Sequence, residues 1–522
     1  MKSHTEDHNA ALHHAGAANG TAFDEHEVLH RLKHYLPAQS PLKDFVHHNT
    51  LHAFQDRKFE EGIREASEIF GYKVSLMLDE YRSAYKKGQI RADIFEKVIQ
   101  LHPDGTASAD WRHRMLEKQY GPQPKPLVGR LRNVWRTRYH LDLDTLVHPL
   151  LFRILCSYLD QGVSIWDFPA QETTFLGAIR ELERNAFSSF FKTKRARQLL
   201  KEGKCSIQDL LTIIVGKDTS LYEQYLFDLQ FAHQGWSGLV AQVEDHPESL
   251  LDYKPISLHD LIHFELLLEI DALDGHFGSK WKPLESIEDL PREDLFDHRA
   301  ASEFQIVLAR WQEAFEWSYY DSILAAVKYS EKSTADLTRP PRFQAMFCID
   351  DRECSLRRYI EAEAPDCETF GTAGFFGVEF FFQPEGGKFY TKLCPAPVTP
   401  KYLIKEFGSQ SRRKTDIHLS KRSHSLGQGW LIAQTLGFWS AFRLFLNIAR
   451  PSMGPAMTYA FQHHDRLANL TIENTDPNHT ENGLQVGFSI DEMVTRVEGL
   501  LRSIGLIDNF APLVYVVGHG SS

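Results

Sequence analysis

Phe343-Gln344-Ala345-Met346-Phe347-Cys348-Ile349-Asp350-Asp351-Arg352 is the stretch on which the reading of this chain turns. The largely apolar run from Phe343 to Ile349 predicts a strand, and polar, helix-favouring residues follow it at once. A thiol, a carboxylate and a guanidinium therefore converge at the end of the strand. Upstream, Arg339-Pro340-Pro341 stops any helix before the strand begins. Downstream, Glu353 to Glu363 predicts a helix with Leu356, Tyr359 and Ile360 on one side, ended by Pro365.

A second junction of the same kind lies at Leu513-Val514-Tyr515-Val516-Val517, which runs into Gly518-His519-Gly520 and places an imidazole where a buried strand would leave its sheet. Ahead of it, Ser489 and Glu492 form a capping-box pattern, followed by Met493, Val497, Leu500, Leu501 and Ile504 at helical spacing, with Gly505 as the stop. Two strand-then-site junctions with helices between them predict an α/β sheet, in which ligands gather beyond the carboxyl ends of parallel strands.

Cys348, Asp350 and His519 are the candidate Zn2+ ligands, because zinc accepts thiolate, carboxylate and imidazole together. Side chains two apart on an extended segment share a face, so Cys348 and Asp350 could converge, and Arg352 reaches Asp350 if the extension continues. Asp350 and Arg352 are then the candidate catalytic pair: an aspartate held by arginine leaves a metal position open to water, whose pKa zinc lowers to about 7. The plain alternative makes Cys348 a core thiol, Asp350 the cap of the next helix and His519 a local hydrogen-bonding group.

From Asp24 to about Lys332 the apolar spacing is mostly helical, as in Leu150-Leu151-Ile154-Leu155-Tyr158 and Phe304-Val307-Leu308-Trp311-Phe315. The expected organisation is a tail at residues 1–22, a helical scaffold at 23–335 and an α/β zinc-site domain at 336–522. The helical part offers no recognisable chemistry. Cys367 to Gln383, dense in aromatics and glycine, predicts a strand with bends or a loop against an apolar cavity.

The bulk properties narrow the function classes. A chain of 522 residues with 42% hydrophobic content can bury a large core. Net charge of -12 and a pI near 6.1 argue against a nucleic-acid binder, which needs a clustered basic surface. The first twenty residues lack the pattern of a secretory signal, so the chain is expected in the cytoplasm. Six cysteines spread over this length suit a reducing compartment, and Cys354 and Cys367 read as buried structural thiols.

Other histidine groups read as structural. His48 and His52 have metal spacing, but Asn49 before Thr50 and Leu51 reads as a helix cap, and His463-His464-Asp465 as a solvated turn. Leu426 to Phe442 carries no formal charge, yet falls short of the about 20 apolar residues that a bilayer span needs, and is expected to be a buried helix. The basic groups Arg412-Arg413-Lys414 and Lys421-Arg422 precede it, an order that also suits an anionic membrane surface.

Four segments carry a family resemblance: Phe347 to Arg358 (FCIDDRECSLRR), Phe45 to Phe54 (FVHHNTLHAF), Phe370 to Gly377 (FGTAGFFG) and the terminal Gly-His-Gly-Ser-Ser. Together they resemble the DabA family, subunits of bacterial inorganic-carbon transporters, along nearly the whole chain. The resemblance implies a β-carbonic-anhydrase-like, mostly parallel zinc core, with Cys348, Asp350 and His519 matching zinc positions and Arg352 the arginine that pairs with the aspartate. It implies carbon dioxide hydration or bicarbonate uptake, driven by a cation gradient through a DabB-like membrane subunit similar to the cation-translocating proteins of respiratory complex I. It also implies peripheral attachment to the cytoplasmic side of the cell membrane. Family members supply a further cysteine ligand downstream of the histidine, whereas no cysteine follows His519 here, so the chain reads as a C-terminally short member. A non-catalytic docking subunit is the alternative function, and a generic zinc hydrolase a weaker one.

Overall fold

The structure, a computed structural model, describes residues 23–38, 49–101, 108–122, 124–161, 168–170, 174–247, 250, 252–278, 280–330, 341–384, 390–395, 398–407, 469–474, 476 and 478–518. Among the described residues between Glu25 and Ser330 the regular elements are helices. The expected helices around Leu150 and Trp311 are present as Leu143–Tyr158 and Glu303–Ser330. Asn49 caps the short helix Thr50–Phe54, its side chain accepting from Leu51 N at 2.9 Å, as its sequence position suggests. Among the described residues no helix is long and apolar enough to cross a membrane.

Helix Leu258–Phe277 lies at the centre of the main helical core. Leucines, isoleucines and phenylalanine occur on every side of it, and Leu261, Ile262, Phe264, Leu266, Leu267 and Ile270 are fully buried. The same helix carries Glu265, Glu269, Asp271 and Asp274 into that interior. Burying an unpaired charge is costly, so each carboxylate has partners.

Those partners tie distant segments to the helix. Glu269 accepts from Arg132 Nε and from Tyr225 Oη, both at 2.7 Å. Asp271 accepts from the backbone of Lys192 at 3.0 Å and Thr193 at 2.7 Å. Asp274 binds Arg195 Nε at 2.9 Å and Trp281 Nε1 at 2.7 Å. Glu265 accepts from Gln230 Nε2 at 2.7 Å and lies 2.8 Å from His233 Nε2.

After the helices come two sheets. In the first, β1 (Phe343–Cys348) lies between β2 (Cys367–Thr372) and β9 (Val514–Val516), and both pairings are parallel. The second runs β4 (Thr391–Leu393), β3 (Phe380–Gln383), β5 (Tyr402–Phe407), β8 (Leu484–Val486), β7 (Thr480–Glu481), with β6 (Asn469–Leu470) antiparallel to β5. It is mixed: β3, β5 and β8 run parallel, while β4 and β7 run antiparallel to their neighbours. The α/β expectation holds, but the parallel arrangement is complete only in the first sheet.

The capping box at Ser489 is formed, with Ser489 N donating to Glu492 Oε2 at 2.8 Å and Glu492 N to Ser489 Oγ at 3.3 Å, so helix Ile490–Ser503 starts where the sequence places it. Gly505 follows at φ 80°, the left-handed conformation that glycine adopts without strain. The expected buried strand before His519 is corrected: β9 bonds to β1 alone among the described strands, and Val514, Tyr515 and Val516 are 38%, 50% and 60% exposed. Apolar, β-branched residues favour strand geometry on an edge as well as in a core, so composition could not separate the two.

Two outcomes follow. Arg132→Met leaves Glu269 buried without its guanidinium and is expected to lower unfolding free energy by about 3–5 kcal/mol in denaturant titration; an unchanged midpoint would contradict the pairing. His259 stands 3.1 Å from Glu25 Oε1 and 3.8 Å from Asp260 Oδ1, and the carboxylates of Asp260 and Glu25 raise it from 6.5 to about 9. The folded chain therefore holds this proton more tightly, a contribution present in full below pH 6.5 and lost as pH rises through about 9. Wild type is expected to lose stability more steeply than His259→Gln across that window, and parallel curves would rule the contribution out.

Candidate metal centre

Cys348 is the last residue of β1, opposite Thr372 of β2, and Ile349 N donates to Thr372 O at 2.9 Å as the chain leaves the sheet. Burial alternates here, with Cys348 and Asp350 half-buried around an Ile349 that is 63% exposed. The next helix spans Asp351–Glu363, and its first turn is closed by Glu353 N and Cys354 N donating to the Asp350 carbonyl at 3.0 and 3.1 Å. Asp350 thus starts a helix at the carboxyl edge of a parallel sheet.

The edge is braced from below. Arg357 reaches across β2, its Nε donating to Thr369 Oγ1 at 3.0 Å and its Nη2 to Thr369 O at 3.1 Å. Gly371 permits this crossing, because a Cβ there would meet Arg357 Nη1 at 2.7 Å. The helix carrying the site segment is thereby fixed to the strand beside Cys348.

Of the residues singled out in the sequence, Cys348 and Asp350 fall at this edge. Strand β9 runs parallel to β1 with Val516 opposite Met346, and Val517 N donates to Met346 O at 2.9 Å, so the chain is heading to the same edge at Gly518. His519 lies outside the described residues, as do His48, His463 to Asp465, the basic residues 412–422 and Leu426 to Phe442. The extension imagined through Arg352 ends before it: the backbone is helical from Asp351, since the segment's polar residues favour a helix once the strand stops. The buried-thiol reading of the neighbouring cysteines is also corrected, for Cys354 is exposed on the helix and Cys367 half-buried.

The helical part holds a constellation that the sequence reading passed over. His148 on helix Leu143–Tyr158, His233 at the start of helix Gln234–Asp245 and Glu265 on helix Leu258–Phe277 each bring one donor atom within 4.8 Å of the others. Glu265 Oε1 is 2.8 Å from His233 Nε2 and 3.7 Å from His148 Nε2, while Gln230 Nε2 donates to Glu265 Oε2 at 2.7 Å. On the far side of its ring, His233 Nδ1 lies 3.0 Å from Ser237 Oγ, which is 2.9 Å from Gln230 Oε1.

Charge in this pocket is strongly biased. Burial alone would raise the Glu265 carboxyl, but the His233 charge, with His148 and Arg132 beside it, holds it down at about 2. Burial pushes His233 down, and the adjacent Glu265 carboxylate outweighs it and raises the imidazole. The signal available in the sequence was an acidic pair one helical turn apart, Glu265 and Glu269, inside an otherwise apolar run.

Comparison with known proteins places the chain. The profile of the family described as "Probable inorganic carbon transporter subunit DabA" matches residues 29–522. A protein of that description from Nitrosospira multiformis is 55% identical over 511 residues, covering 97% of this chain and 56% of the relative. Another from Azotobacter vinelandii is 53% identical over 509 residues, covering 96% of this chain and 59% of the relative. The chain therefore spans a little over half the length of these relatives. No solved structure matches it.

Proposed function

The chain belongs to the DabA family, and on that footing we propose that it is a subunit of an inorganic-carbon transporter whose chemistry centres on Cys348. In this reading Cys348, Asp350 and His519 would hold Zn2+, with Arg352 the candidate partner of the Asp350 carboxylate. The observation that carries it is the placement of Cys348 and Asp350 at the carboxyl edge of a wholly parallel sheet, toward which β9 also directs the chain before His519. That edge is where ligands gather in open α/β folds.

The donor set fits the ion, because thiolate, carboxylate and imidazole are all zinc ligands. Bound there, Zn2+ would supply the Lewis acidity that brings water ionisation to about neutral pH, as carbon dioxide hydration requires. The protein's own residues do the rest: β1 holds the thiol, the first helical turn fixes the backbone at Asp350, and the Arg357–Thr369 contacts keep that helix against the sheet. Directional uptake of carbon dioxide or bicarbonate would come from a cation-translocating, DabB-like membrane subunit, with this chain peripheral on the cytoplasmic side.

Zinc content separates this reading from a docking subunit without chemistry. Cys348→Ala is expected to carry one zinc equivalent per chain fewer than wild type when both are purified without added metal; equal content would exclude Cys348 as a ligand. For the membrane side, replacing Arg412, Arg413 and Lys414 together by Glu is expected to weaken cosedimentation with anionic vesicles several-fold at low salt. Undiminished binding would remove that segment from the membrane face.

A further inference from the structure

We propose that His148, His233 and Glu265 form a second metal site, within the helical part, that takes a divalent first-row transition ion, with Zn2+ the first choice. Two imidazoles and one carboxylate are a common ligand set for such ions, and three protein ligands leave a position open. This inference is independent of the reading of Cys348.

The hydrogen-bond pattern is the first argument. Ser237 Oγ is placed to donate to Gln230 Oε1 at 2.9 Å or to the Gln230 carbonyl at 3.1 Å, so it accepts from His233 Nδ1. With Nδ1 turned to Ser237, Nε2 is the ring nitrogen that faces the Glu265 carboxylate 2.8 Å away, and either a proton or a metal ion can bridge the two. A metal-bound histidine typically donates its other ring nitrogen to a fixed acceptor, which Ser237 provides.

His148 is the second argument, because a proton between His233 and Glu265 does nothing for it. Among the described residues its Nε2 is a buried nitrogen with no hydrogen-bond partner, 3.7 Å from Glu265 Oε1 and 3.5 Å from Asp144 Oδ1. Tetrahedral zinc with bonds of about 2.0–2.1 Å needs ligand atoms about 3.4 Å apart. The separations of 2.8 and 3.7 Å from Glu265 bracket that value, and all three donor atoms lie within 4.8 Å of one another.

The surroundings suit a buried cation. Arg132 is engaged by Glu269 and Asp144, and the ion-pair partners of Glu265 among the described residues are the two imidazoles. Phe152 covers the group, its ring centroid 4.9 Å from that of His148 and 5.5 Å from that of His233, and Trp236 stacks behind it at 5.5 Å. The His148 side chain is 15% exposed although its Nε2 is buried, so the group lies just beneath the surface.

The test uses the whole chain, stripped with chelator and dialysed against Zn2+ or Co2+. His148→Phe keeps the ring packing and removes no hydrogen bond, only the imidazole's ion pairs with Glu265 and Asp144, so the metal-free variant should still fold and serves as its own metal-free reference. It is expected to bind one equivalent fewer than wild type and to lose part of the rise in melting temperature that metal produces. Equal binding by wild type and His148→Phe, or no binding by wild type, would overturn the proposal. Cys348→Ala gives a second measurement: it should retain one equivalent whose Co2+ spectrum lacks thiolate charge transfer, and a Cys348→Ala chain without metal would also overturn the proposal. If Cys348→Ala instead binds as much as wild type while His148→Phe loses an equivalent, the Cys348 reading fails and this one stands.

Discussion

Four carboxylates on one buried helix impose the constraint around which the helical part is arranged. Helix Leu258–Phe277 gains its place from apolar residues on every face, yet Glu265, Glu269, Asp271 and Asp274 enter the interior with them. A buried carboxylate without a partner costs several kcal/mol, more than burial of a neighbouring leucine contributes at roughly 1.5–3 kcal/mol. Arg132, Lys192, Thr193, Arg195 and Trp281 must therefore be delivered to fixed points along the helix. The first four of these residues come from two segments well before it in sequence, so charge satisfaction specifies which segments pack against it as well as how tightly.

The α/β part obeys a different rule. Its parallel strands bring residues far apart in sequence to one edge, and the turn into the helix at Asp350 points the backbone amides of the first turn in the same direction. Polar ligands at such an edge lie beside structure rather than inside it. A reactive centre there can exchange water and substrate, whereas the histidine and glutamate group in the helices is enclosed by Phe152 and Trp236.

Local patterns were legible from sequence where one segment contains the whole physical cause. The strand ending at Cys348, the Asn49 cap, the Ser489 and Glu492 capping box and the long apolar helices all depend on neighbours within a turn or a strand. Burial was less legible. The apolar run at Val514 to Val516 is an exposed edge, and Cys354 faces outward on its helix, because neither fact depends on the residue's own chemistry. The group of His148, His233 and Glu265 was hidden for a similar reason: three separate segments supply it, and only Glu265 and Glu269 within an apolar run gave a local sign.

The account rests most heavily on a metal ion bound through sulfur at the end of β1. X-ray absorption at the zinc edge, on protein purified without added metal, tests this directly. The account predicts a sulfur scatterer at about 2.3 Å in wild type that disappears in Cys348→Ser, leaving nitrogen and oxygen at about 2.0–2.1 Å. The same nitrogen and oxygen shell in both proteins, with no sulfur in either, would contradict it.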